Sequence, residues 1–184
     1  PAHGHINPSL PLVAELTRRG HDIIYFTTGA YRQRIEAAGA SVEIYRGVED
    51  DYFEANGLNG TEPQKAAQIL LRTSKAILPA LLSAVDRLNP DYILYDCMCP
   101  WGYYIARITG LPSVSSFSLQ PLILRALADL RMLRLFLPAF VKGSREFRIA
   151  GRIAKDLGKQ YSVKPLDTLQ ILNVPGDVSI SYTS

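Results

Sequence analysis

Residues Pro1 to Thr28 read "PAHGHINPSLPLVAELTRRGHDIIYFTT". Apolar residues at Leu10, Val13, Ala14 and Leu16 form one helical face between Asn7 and Arg19. Asn7 suits an N-cap, Pro8 the first helical position and Gly20 the residue past the end. Pro11 still lies in the first turn, where a missing N–H costs little. "DIIYFTT" (Asp22 to Thr28) then reads as a nearly continuous apolar strand, the kind covered on both faces. A helix that feeds such a strand needs a strand before it. The spacing therefore predicts that "PAHGH" is a loop and that a short apolar first strand lies ahead of Pro1.

Working outward, the alternation continues. "YRQRIEAAG" is a short helix closed by Gly39, and "SVEIY" (Ser41 to Tyr45) is the next strand. A polar loop spans Arg46 to Thr61, and a long helix runs from about Pro63 to Leu88, with Pro79 as a kink. "DYILYD" (Asp91 to Asp96) is a strand, "WGYYIARITG" a helix closed by Gly110, and "LPSVSSFS" another strand. Helical segments follow to about Gly158, and "DVSISYT" is the last strand. This order predicts an α/β fold, a Rossmann-like doubly wound parallel sheet with its first strand missing.

Composition bounds the function. The chain has 184 residues, 47% of them hydrophobic and 20% charged, enough for one domain with a real core. A net charge of +3, scattered along the chain, argues against a nucleic-acid partner. Cys97 and Cys99 sit too close to bridge each other comfortably, which favours a reducing, cytoplasmic setting. No initiator methionine or charged-then-apolar leader is visible, and "DVSISYTS" ends as a strand without a turn. The chain reads as a piece of a larger protein.

Counting the strand ahead of Pro1 as first, Asp22–Thr28 is second, Ser41–Tyr45 third and Asp91–Tyr95 fourth. In doubly wound sheets the first and fourth strands are commonly neighbours, and ligands bind beyond their carboxyl ends. His5 follows the first strand and Asp96 follows the end of the fourth, so both are expected at one crevice. A carboxylate beside an imidazole orients the ring and stabilises the imidazolium, which makes a general base. Other readings stand beside this one. A His at a loop–helix junction is often structural, and a strand-end Asp is often a turn residue. His3 and His5 have metal-ligand spacing, but His21 is expected at the opposite end of the sheet and Cys97 and Cys99 make a weak complement. No Gly-x-Gly-x-x-Gly follows a strand, and no phosphate-cradling Gly-x-x-x-x-Gly-Lys-Ser/Thr occurs.

The residues carry a resemblance. "PAHGHINPSLPLVAELTRRGHDIIYFTT", "YRQRIEAAGASVEIY", "DYILYDCMCPWGYYIARITGLPSVSSFS" and "SISYTS" resemble the amino-terminal half of nucleotide-sugar-dependent glycosyltransferases of the bacterial macrolide type. Matching is weaker from Glu49 to Lys75 and from Pro121 to Asp177. The resemblance implies a GT-B enzyme of two Rossmann-like halves, with residues 1–184 forming a single acceptor-binding domain. It implies His5, and not His3, as the base and Asp96 as its acidic partner. The reaction would be an inverting displacement without a metal or cofactor. Its co-substrate, a UDP- or dTDP-sugar, would be bound mainly by the other half, which this chain lacks. On its own the chain would not transfer sugar.

The acceptor-binding residues expected from the strand ends are Ile6, Cys97, Met98 and Trp101, with Phe117 and Ser118 beyond the fifth strand. The apolar run "LQPLILRALADLRMLRLFLPAFV" (Leu119 to Val141) reads either as a packed helix or as a lid over a hydrophobic small-molecule acceptor. Its four charges, Arg125, Asp129, Arg131 and Arg134, make it too polar for a transmembrane segment. Three further readings differ in class: a stand-alone acceptor-binding module or accessory subunit of a split glycosyltransferase, a lipid-linked glycosyltransferase of the same fold, and a metal hydrolase.

Overall fold

The computed structural model describes residues 3–56, 63–117 and 144–182. They fall into two compact units, Pro1–Asn56 and Gly57–Ser184.

In the first unit, α1 (His3–Arg18) leads to β1 (Ile24–Thr27), and a 3₁₀ turn (Gly29–Tyr31) leads into α2 (Arg32–Ala37). β2 (Ser41–Ile44) and the short α3 (Tyr52–Ala55) complete it. β1 and β2 pair in parallel, with Ile24 opposite Ser41 and Thr27 opposite Ile44. The core is Ile6, Val13, Tyr31, Ile35 and Ala40, flanked by Leu10, Ile23, Tyr25 and Val42.

Here the structure corrects the expected start of the first helix. α1 begins at His3, so "GHINP" is helical, Asn7 is exposed inside the helix, and Pro8 and Pro11 are interior. Ile6, Leu10 and Val13 follow 3–4 spacing, which extends the buried face one turn earlier than the caps suggested. Burying Ile6 contributes about 1.5–3 kcal/mol. Pro8 and Pro11 each cost about 3 kcal/mol in a helix interior, so this burial offsets part of that cost and not all of it. Ser9 braces the turn, its Oγ donating to the Ile6 carbonyl at 2.8 Å and lying 3.0 Å from the Tyr25 hydroxyl.

In the second unit, α4 (Pro63–Leu88) runs through Pro79, followed by β3 (Ile93–Asp96), α5 (Pro100–Thr109) and β4 (Ser113–Phe117). The next described helix, α6, spans Ser144–Tyr161; a 3₁₀ turn (Thr168–Gln170) and β5 (Val178–Ser181) follow. The strands form a parallel sheet in the order β3-β4-β5. Ile93 pairs with Ser113, Asp96 with Ser116, and Phe117 with Ser181. α4 packs on α5 and α6. It is long and apolar enough to cross a membrane by length and composition between Lys65 and Leu88, and half of that stretch is buried.

The α/β class and the parallel pairing are as the sequence indicated. The strands lie in two separate sheets, β1-β2 in the first unit and β3-β4-β5 in the second. Gly20, Gly39 and Gly110, read as helix stops, all have left-handed φ, at 88°, 97° and 74°. The expected lid, Leu119 to Val141, lies outside the described residues.

At the amino end of the second sheet Asp177 ties three elements together. One of its carboxylate oxygens accepts from the Ser113 backbone N–H at 3.0 Å and from the Ser113 hydroxyl at 2.8 Å. The other accepts from Arg107 at 3.1 Å. This joins the start of β4, the end of α5 and the entry to β5, and the carboxyl ends of the strands lie at the opposite end of the sheet.

Candidate functional site

That opposite end is built from the turn after β3. Asp96 closes the strand, and its Oδ1 accepts the Met98 backbone N–H at 2.8 Å, a local Asp turn that fixes the carboxylate. The Asp96 carbonyl accepts from Cys99 N at 2.8 Å, and Pro100 then occupies the first turn of α5. Cys97 is buried; its N–H donates to Ser116 O at 2.9 Å and its carbonyl accepts from Val174 N at 2.8 Å. The strand end is thus pinned on both sides of the carboxylate.

The residues expected in the site fall as follows. Asp96, Cys97, Met98 and Phe117 gather at the carboxyl edge of β3 and β4, with Met98 and Phe117 half-buried. Trp101 lies in the first turn of α5 and is buried. His5 is half-buried in the first turns of α1, and Ile6 beside it is 3% exposed within the core of the first unit. His5 and Asp96 therefore belong to different units. Ser118 lies outside the described residues.

The cysteines are free thiols. Burial, reinforced by the neighbouring Asp96 carboxylate, pushes the Cys99 thiol well above the usual thiol range, which suppresses the thiolate that metal binding or nucleophilic attack needs. Among the described residues no three His, Cys, Asp or Glu side chains cluster closely enough to hold a metal ion.

Two residues at this edge escaped the sequence reading. The Ser116 hydroxyl lies 3.1 Å from the Tyr182 hydroxyl, just past β5. In a parallel sheet, paired residues point to the same face and alternate residues along a strand share it. Asp96 pairs with Ser116, which pairs with Ile180, and Tyr182 is two residues on. All three polar side chains therefore stand on one face, whereas Tyr95, one residue from Asp96, points to the face that carries α5. Pairing register across crossover connections is not legible in sequence, so this juxtaposition had no signal there. In the first unit, the hydroxyls of Thr27 and Thr28, at the end of β1, are buried without a protein partner among the described residues.

A groove of about 390 Å³ lies along α6 between Phe147, Arg148, Gly151, Arg152, Lys155 and Thr168, and none of the strand-end residues lines it.

Parallel strands joined through helices define a protein of the α/β class. Solved structures give it a more particular identity: the fold is that of one half of a GT-B glycosyltransferase. The calicheamicin glycosyltransferase CalG4 superposes with a TM-score of 0.70 at 25% identity, covering 98% of this chain and 44% of CalG4. In sequence, the chain is 27% identical over 194 residues to the protein named uncharacterized UDP-glucosyltransferase YojK of Bacillus subtilis, covering all of this chain and 45% of that one. It is 31% identical over 117 residues to the oleandomycin glycosyltransferase of Streptomyces antibioticus, covering 62% of this chain and 26% of that one. No family model matches. The chain is thus similar in sequence and fold to proteins named as glycosyltransferases, and it spans about half the length, or less, of the relatives it matches.

Proposed function

We propose that this chain is the acceptor-binding half of an inverting glycosyltransferase, moving a sugar from a UDP- or dTDP-sugar to a hydroxyl of a hydrophobic small molecule. The observation that supports it most is the placing of Asp96: a carboxylate held by a backbone N–H at the carboxyl end of β3, in a chain whose fold matches a glycosyltransferase half over nearly its whole length. Relatives named for oleandomycin and calicheamicin favour a natural-product acceptor.

In this reading His5 takes the proton from the acceptor hydroxyl, and Asp96 orients the ring and stabilises the imidazolium. The acceptor oxygen attacks the anomeric carbon from the side opposite the diphosphate. The new C–O bond forms as the bond to the diphosphate oxygen breaks, and the electron pair leaves with the nucleotide diphosphate. One in-line displacement inverts the anomeric configuration, and the step uses no metal or organic cofactor. Base catalysis of this kind contributes about 10²–10⁴-fold. The donor is bound mainly by a second half outside this chain, while Met98 and Phe117 are the half-buried side chains at the strand edge available to an acceptor. Two free cysteines suit a reducing, cytoplasmic setting.

The test is the full-length protein incubated with UDP- and dTDP-sugars and a panel of apolar aglycones, with products read by mass spectrometry and anomeric configuration by NMR. Glycoside of inverted configuration is expected. A product of retained configuration, or no transfer across the panel, contradicts the proposal.

A further inference from the structure

We propose that the exposed face of α6 is a docking surface for an anionic lipid membrane, and that the groove along it seats a phospholipid headgroup. None of the strand-end residues lines that groove.

The spacing of charge along α6 comes first. Ser144–Tyr161 holds five cations, Arg145, Arg148, Arg152, Lys155 and Lys159, and two carboxylates, Glu146 and Asp156. Steps of three, four, three and four residues keep all five cations within an arc of about 80° on a helix of about 3.6 residues per turn. Glu146 falls well off that arc, and Asp156 falls at its edge. All five cations are exposed. Ala150, Ala154 and Leu157, on the opposite face, are buried, and α6 packs on α4. Packing therefore fixes the rotation of the helix and turns a row of positive charge about 21 Å long towards solvent. Charge that looks scattered along the sequence is local on this face.

The groove argues for the occupant. It holds about 390 Å³ between Phe147, Arg148, Gly151, Arg152, Lys155 and Thr168. Three cations of the row and a hydroxyl suit a phosphodiester, and the Phe147 ring among them suits the apolar chain attached to it. Gly151 leaves the space open, because a Cβ there would lie 3.0 Å from the Thr168 hydroxyl oxygen. A protein partner fits less well. Interface centres are built on aromatic anchors and are poor in lysine, whereas this row is cationic throughout. A nucleic acid also fits less well, because no Asn, Gln or exposed aromatic side chain stands within the arc to read or stack a base.

Binding of this kind is reversible and sensitive to salt, since screening acts over about 10 Å at 0.1 M ionic strength. A transferase held at a bilayer meets an apolar acceptor where such molecules concentrate. That purpose rests on the function proposed above; the binding itself does not.

The test is co-sedimentation of the full-length protein with vesicles of phosphatidylcholine alone and of phosphatidylcholine mixed with phosphatidylglycerol. Binding to the anionic vesicles at about 0.1 M salt, lost at about 0.5 M and absent on the neutral ones, is expected. Arg152→Gln with Lys155→Gln should weaken it about 30-fold, from the usual contribution of two basic residues near an anionic surface. Arg145→Gln with Lys159→Gln, at the two ends of the row, should weaken it at least about fivefold. Arg72→Gln with Lys75→Gln removes as much charge from exposed positions on α4 and should change binding less than about threefold. Equal binding to both kinds of vesicle, or an equal loss from the α4 pair, overturns the inference. Retention on double-stranded DNA without vesicle binding also overturns it and assigns the row to nucleic acid. Sugar transfer by a protein that binds no vesicles overturns this inference alone, whereas vesicle binding without transfer counts only against the proposed function.

Discussion

Gly102 lies directly against the ring of Tyr95: a methyl group at Gly102 would sit well inside van der Waals contact with the ring carbons. The contact seats α5 on β3, one residue from Asp96, and Tyr95 reaches past it to donate to the Pro175 carbonyl at 2.6 Å. Burial pushes the Tyr95 phenol up to about 12, so this donor is retained at any working pH. Gly102→Ala should cost about 1–3 kcal/mol, the usual range for an overpacked core. A fall in Tm by thermal unfolding checks it, and an unchanged Tm contradicts the close approach.

The Asp177 latch should be pH-dependent. The Ser113 hydroxyl first, then the Ser113 N–H and the Arg107 guanidinium, hold its carboxyl below the usual range. A depressed folded-state pKa stabilises above the unfolded value, about 3.9 for Asp, and the contribution is lost as pH falls through the folded value. The side chain is 46% exposed, so solvent screening keeps the effect small. Asp177→Asn should be less stable than the parent at pH 7, with the gap narrowing below about pH 4. Urea denaturation at several pH values measures this, and a gap independent of pH contradicts it.

Thiol reactivity follows from burial. Cys97 is buried; Cys99 is half-buried, and its thiol is held well above its ordinary range. In the native protein both should react slowly with a disulfide reagent at neutral pH, and both should react promptly after unfolding in denaturant. Rapid labelling of a native thiol would show that the turn after Asp96 is more open than described.

Much of the fold was legible in sequence because its signals are local. Near-continuous apolar runs marked β1 and β3, and glycines at 20, 39 and 110 marked helix ends where the chain turns left-handed. Asp96 was recognisable as a strand-end carboxylate for the same reason. The start of α1 was not. Asn7 and Pro8 form a persuasive cap signal, and Ile6 opposes it by packing against the core, a contact that local sequence does not display. Ser116 and Tyr182 were missed on different grounds. Their meeting depends on the register between parallel strands joined through long crossovers, and nothing local to either residue fixes that register. His5 and Asp96 were joined by strand counting and by the family resemblance, and their roles rest on chemistry that has to be measured.

The most direct test of the central claim is the transfer rate of the full-length His5→Ala variant, with UDP-sugar affinity measured in parallel by calorimetry. The account predicts that transfer falls by about 10²–10⁴-fold, the contribution of a positioned base, while donor affinity stays within about twofold, because the proposal assigns the donor mainly to a second half. Near-normal transfer would contradict it and remove His5 from the chemistry.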